Sequence, residues 1–213
     1  MTPERIAELL RPYVGSPAEV TGVAGDATRD WPRIHGQLAV YLELILKWNA
    51  RINLTAVRTP EEIVRRHFGE SLFAGMQVGA CETMLDFGSG GGFPGVPIQL
   101  LRPELKVTLA ESRTRKAAFL REVVRTLGLP TEVWAGRVEA MPAARRFDAV
   151  ALRAVDDMDA AVREAARRAG REVLIVGTSR QVSYPALLGG FGMGAPIKLP
   201  ESDGGVLLVA RRS

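Results

Sequence analysis

Hydrophobic positions change their spacing once along the chain, near residue 80. Before that point Leu38, Tyr41, Leu42, Ile45 and Trp48 recur at steps of three and four, the period of an amphipathic helix with a core-facing stripe. Leu44 and Leu46 add apolar character to its other side, which predicts a helix covered on more than one face. Helix starts are written locally as well. Thr2-Pro3-Glu4, Ser16-Pro17-Ala18-Glu19 and Thr59-Pro60-Glu61-Glu62 each set a hydroxyl cap before a proline at the first helical position. The latter two also place Glu where a capping box wants it. Residues 1–80 are therefore expected to form a helical subdomain.

Beyond residue 80 the pattern becomes one of short apolar runs. They predict strands at 83–87, 106–110, 131–135, 147–152, 172–177 and 206–210, and the segments between the first five are long enough for crossover helices. That alternation belongs to an α/β fold with a parallel sheet and helices on both faces. A run at Ala195 to Leu199, followed by Pro200-Glu201-Ser202-Asp203-Gly204-Gly205, predicts an antiparallel hairpin at the sheet edge. The expectation is a doubly wound, mostly parallel, seven-stranded sheet over residues 81–213 with an N-terminal helical extension.

Composition narrows the classes. A chain of 213 residues with 46% hydrophobic content fits one ordinary core and a small extension. No apolar run approaches the ~20 residues that cross a bilayer, and the N-terminus mixes charges among its apolar residues, so a soluble cytoplasmic protein without membrane association is expected. One cysteine, Cys81, and two histidines, His35 and His67, make neither a disulfide nor a zinc-ligand set, so no metal is expected. The absence of an apolar heptad or a long edge strand points to a monomer. The net charge is +4, and the stretch from Arg102 to Arg125, with seven basic and three acidic residues, carries as much by itself. A polyanionic partner is compatible with that placement.

The candidate chemistry lies at Leu85-Asp86-Phe87-Gly88-Ser89-Gly90-Gly91-Gly92-Phe93-Pro94-Gly95, directly after the first predicted strand. Glycines there let backbone approach a nucleoside where side chains would obstruct it, and a following helix turns its amides toward the ligand. Gly90, Gly92 and Gly95 also satisfy the dinucleotide fingerprint, with Glu111 at the end of the second strand 21 residues after Gly90, so the glycines alone leave NAD open. Two features favour S-adenosylmethionine. Asp86 at the strand end suits a cationic methionine portion and would repel a pyrophosphate, and Pro94 and Pro97 crowd a turn where a dinucleotide needs free amides. Glu111 suits ribose hydroxyls, Arg137-Val138-Glu139 follows the third strand where an adenine would be covered, and Arg153 stands just past the fourth. A structural pairing of Arg153 with Asp156 or Asp157 is the alternative for that residue.

Several segments together resemble the small-subunit ribosomal RNA guanine-N7 methyltransferase family, also called the glucose-inhibited division protein B family. They are Asn53-Leu54-Thr55-Ala56-Val57-Arg58, Arg66-His67-Phe68-Gly69-Glu70-Ser71-Leu72, the glycine segment with its Phe93-Pro94-Gly95 ending, Glu111-Ser112 with Arg115-Lys116 and Phe119-Leu120-Arg121, Arg137-Val138-Glu139, and Phe147-Asp148 with Leu152-Arg153-Ala154. The resemblance spans roughly residues 38–177. It departs at Glu70, where the family usually has Asp, and at Ile175-Val176-Gly177, where relatives carry a Lys.

The resemblance implies a class I, Rossmann-like methyltransferase whose S-adenosylmethionine contacts are Gly88, Phe93, Val138, Glu139 and Arg153, with Glu111 at the ribose; residue chemistry adds Asp86 and Gly90. It implies 16S rRNA or the 30S particle as partner. Phosphate contacts are expected from Arg58, Arg65, Arg66 and His67 and from Arg113, Arg115 and Lys116. Guanine N7 has an in-plane lone pair and no proton, so no catalytic acid or base is assigned and alignment carries the chemistry. A methyltransferase for a small molecule or protein, and a non-catalytic nucleotide-binding regulator, are the competing expectations.

Overall fold

The computed structural model of the protein describes residues 1–15, 29–178 and 184–212. The start read at Ser16 to Glu19 lies outside them. Helix α1 (Pro3–Val14) begins where the Thr2 hydroxyl accepts the Arg5 N–H at 3.3 Å. Helix α2 (Trp31–Asn49) is capped by Asp30, which accepts the Arg33 N–H at 3.0 Å. It buries Leu38, Tyr41, Leu42 and Ile45, and Trp48 packs at the margin with its indole N–H donating to Glu122 at 3.1 Å. Among the described residues nothing covers the helix on a second face: Leu44 is half-buried, but Leu46 is 38% exposed. Thr59 caps a start at Pro60 whose first turn, α3 (Pro60–Glu62), runs straight into a π-helical segment (Ile63–Gly69) and then α4 (Glu70–Gln77).

Among the described residues the sheet has eight strands, where seven were expected. They are β1 (Thr83–Phe87), β2 (Lys106–Glu111), β3 (Glu132–Ala135), β4 (Phe147–Arg153), β5 (Ala169–Thr178), β6 (Phe191–Met193), β7 (Ile197–Lys198) and β8 (Gly205–Arg212). Their order is β3-β2-β1-β4-β5-β8-β6, with β7 pairing β8. The first five are parallel and β8 is antiparallel to β5, β6 and β7. The unforeseen strand, β6, is only three residues of an edge, too short to show alternation. Strands β1 and β4 are neighbours, so the chain winds outward to β3 and then restarts in the other direction, leaving a switch point at their carboxyl ends.

Helices α5 (Gly95–Leu101) and α6 (Thr114–Leu127) cross over on one face and α7 (Met158–Arg168) on the other. The link from β3 to β4 carries only a 3-10 turn (Val138–Ala140), where a crossover helix was expected; it is short and Pro142 interrupts it. Alternation along each strand sorts side chains between two cores. Met84, Val107, Leu109, Ala149 and Leu174 join α1, α2, α4, α5 and α6, whereas Leu85, Ala110, Val150, Leu152 and Val173 join α7. Burial on both faces explains why these strands read as nearly continuous apolar runs. The helices before the sheet share its first core: Tyr41 stacks on Phe68 and Phe119, with centroids 5.2 and 6.5 Å apart.

Candidate functional site

A cleft of about 960 Å³ opens at the switch point, between the carboxyl ends of β1, β2 and β4 and a wall made by Leu54 to Arg58 and the π-helical segment. The glycine loop forms its floor, and bonds from three directions hold it. Ser89 donates its N–H to Ala110 O at 2.9 Å and its hydroxyl to Asp86 O at 3.0 Å. Glu111 Oε2 accepts the Gly90 N–H at 2.9 Å, and the Tyr41 hydroxyl donates to Gly91 O. Gly90 sits at φ +56°, and a Cβ built there would find only Gly88 O, 3.8 Å away. Its backbone is therefore bare toward the cleft, a cradle that a side chain would fill.

The structure brings most of the sequence candidates together. Gly88, Gly90, Phe93, Glu111, Val138, Glu139 and Arg153 all line the cleft. Glu111 is 6% exposed and divides its carboxylate between the Gly90 N–H and the Arg113 N–H, at 2.9 and 2.7 Å. Val138 is held in place from behind by Arg168, whose guanidinium donates to the carbonyls of Val138, Met141 and Pro142 and pairs with Glu164 at 2.7 Å. Asp86 is not in the cleft. It is fully buried beneath the loop, where Oδ2 accepts the Gly95 N–H at 3.1 Å while Oδ1 has no hydrogen-bond partner among the described residues, and burial pushes its carboxyl up to about 7. Its position makes it a brace for the loop rather than a wall facing the ligand.

Arg153 pairs with neither Asp156 nor Asp157. Asp156 meets Arg113 at 3.4 Å in the open, and Asp157 caps α7 through the Ala160 N–H at 3.0 Å. The partner of Arg153 is Glu70, at 2.6 Å, with a second bond from Nη2 to Arg66 O at 2.9 Å. Sequence reasoning missed this pair, since Glu70 stood out only as a departure from a family pattern. The available signal was a lone carboxylate opening the apolar helix Glu70–Gln77.

Among the residues expected to meet phosphates, Arg58 and Arg66 stand exposed on the cleft wall, and Arg113 and Lys116 line it from the start of α6. Arg115 is exposed but lies outside the cleft lining, and so does Arg65, which meets Glu201 at 3.4 Å. His67 is in the cleft wall, its ring stacked on Phe93 at 4.5 Å and its Nε2 2.6 Å from the Thr55 hydroxyl. Burial, with Arg153 and Arg66 nearby, pulls its pKa down to about 3, so it is neutral and cannot serve as a cationic phosphate contact. Among the described residues no cluster of His, Cys, Asp or Glu could hold a metal ion, and no helix is long and apolar enough to cross a membrane.

The switch-point cleft and the strand order define a protein with the class I methyltransferase fold. Solved structures agree: a putative O-methyltransferase from Klebsiella pneumoniae superposes with TM-score 0.59 at 14% identity, covering 81% of this chain and 90% of that one. A SAM dependent methyltransferase from Aquifex aeolicus gives 0.51 at 16%, covering 62% and 82%. A family model described as rRNA small subunit methyltransferase G matches residues 34–181, and the chain belongs to that family. Relatives named Ribosomal RNA small subunit methyltransferase G from Nitrosomonas europaea and Pseudomonas aeruginosa are each 43% identical, over 63% and 67% of this chain. The matches span 63% and 64% of those relatives' own lengths.

Proposed function

We propose that the protein transfers a methyl group from S-adenosylmethionine to N7 of a guanine in 16S rRNA. The observation that carries this reading is the glycine-floored cleft at the switch point, built from residues inside the segment that the family model matches. The cleft suits a nucleoside with a charged tail: bare backbone at Gly90, a carboxylate at Glu111, and the buried edge of Val138. Gly88, Gly90, Phe93, Glu111, Val138, Glu139 and Arg153 would hold the cofactor, which supplies an electrophilic methyl on a positively charged sulfur.

The chain's own work is binding and alignment. N7 of guanine needs no deprotonation, and the titratable groups agree with that low demand. His67 is neutral and tied to Thr55, and Asp86 is sealed under the loop. Arg58, Arg66, Arg113 and Lys116 around the mouth offer guanidinium and ammonium groups to RNA phosphates. The test is incubation of the protein with labelled cofactor and 30S particles from a strain lacking the family's enzyme, followed by mapping of modified guanines. Label at guanine N7 in 16S rRNA is expected; label absent from rRNA but present on a small molecule or a protein would overturn the reading.

A further inference from the structure

A cationic ligand poses a problem for this cleft, because the guanidinium of Arg153 stands in its wall at the end of β4. Arg153 is largely buried, and burial draws its pKa down from the usual value because water compensates its charge poorly there. Its nearest anion is Glu70 at 2.6 Å, and both side chains are nearly closed off, 13% and 10% exposed. Asp86 also acts on Arg153 electrostatically, but burial pushes its own carboxyl up to about 7, which weakens it as a counter-charge. Arg66 adds a second cation and His67 none.

Local backbone geometry sets up the pair. In the π-helical segment the Glu70 N–H turns to His67 O, and Arg66 O accepts from Arg153 Nη2 at 2.9 Å. The guanidinium is thereby fixed between the Arg66 carbonyl and the Glu70 carboxylate, while Nη1 is buried with no hydrogen-bond partner among the described residues.

We propose that Glu70 is a positioning residue that holds Arg153 in the cleft wall and cancels its charge, so that a cationic sulfonium is accepted beside a buried arginine. The proposal rests on reading the cleft as the S-adenosylmethionine site. It separates two ligands of almost the same shape, because the methylated donor carries a positive sulfur and its demethylated product, S-adenosylhomocysteine, a neutral one.

Calorimetric titration of both ligands into the wild-type protein and into the Glu70→Gln, Glu70→Asp and Glu70→Gln/Arg153→Gln variants tests it. Glu70→Gln should weaken S-adenosylmethionine by about tenfold or more while changing S-adenosylhomocysteine by less than about threefold, since an uncompensated guanidinium acts on charge. Glu70→Asp should restore the wild-type ratio of the two affinities. The double variant, which removes both charges, should also restore it, and it keeps the test decisive if Glu70→Gln alone does not fold. Equal losses for both ligands in Glu70→Gln, or a double variant whose ratio departs from wild type, would overturn the positioning role. Wild-type protein that binds neither ligand would instead overturn the reading of the cleft on which it rests.

Discussion

Gly90, Gly92 and Gly95 are of two kinds: the first faces open space, and the other two leave no room for a Cβ. Gly90 faces open space at φ +56°, so Gly90→Ala strains the backbone by about 1 kcal/mol and points a methyl into the cleft. A folded protein with cofactor affinity reduced at least tenfold is expected, read by calorimetry beside a melting curve. Gly92 is at φ +90°, and a Cβ there would press on the Tyr41 hydroxyl and on Val96. Gly95 lies against Leu109 and Asp86 with the same lack of room. Gly92→Ala combines backbone strain with overpacking and should lower stability by about 3 kcal/mol, and Gly95→Ala, through overpacking alone, by about 1–3 kcal/mol, each seen as a shift of the urea midpoint.

The depressed pKa of His67 has a stability consequence of definite sign. The unfolded chain takes up a proton near the ordinary 6.5, whereas the folded protein waits until about 3. Stability contributed by the neutral imidazole is therefore present above 6.5 and lost as pH falls toward 3. In His67→Asn, which has no group to protonate, urea midpoints measured between pH 7 and pH 4 should fall less steeply than in wild type.

At the scale of elements, the segment from Pro60 to Gln77 departs from regular α-helix where it borders the cleft. Its π-helical part presents Arg66 and His67 to the cleft and passes into α4 at Gly69 and Glu70. Gly69 is required by α1: a Cβ there would run into the Tyr13 ring from 2.5 Å. Gly69→Ala should destabilise the protein by about 1–3 kcal/mol, and the loss should shrink in a Tyr13→Ala background, since both changes act on one contact. Denaturation midpoints of the two single variants and the double variant measure that coupling.

At the scale of the whole molecule, Arg58, Arg66, Arg113 and Lys116 stand around one mouth although the net charge is only +4. Each Lys or Arg that neutralises an RNA phosphate contributes roughly 0.7–0.9 to the slope of log affinity against log salt. Arg58→Gln, Arg66→Gln and Lys116→Gln should each weaken 30S binding and flatten that slope by about this amount, in filter-binding series at several salt concentrations. Unchanged slopes would place the RNA footprint elsewhere.

Much of this architecture was legible in the chain itself. Caps at Thr2 and Thr59, the α2 stripe and the short apolar runs of the strands are local signals that neighbours in sequence decide, and the glycine run after β1 marks where backbone must come close to something. Other features had no local signature. The edge strand β6 is three residues long, and the link from β3 to β4 was read as a helix that Pro142 and its length forbid. The Glu70 to Arg153 pair joins residues 83 apart, Asp86 turned from the cleft to brace Gly95, and His67 lost its charge to burial among Phe93, Arg66 and Arg153. The sequence by itself determined which segments coil, which extend and which stay bare. Tertiary structure alone decided what each polar side chain faces and which of them keep their charge, because desolvation and partner distance are set by segments that meet only when the chain folds.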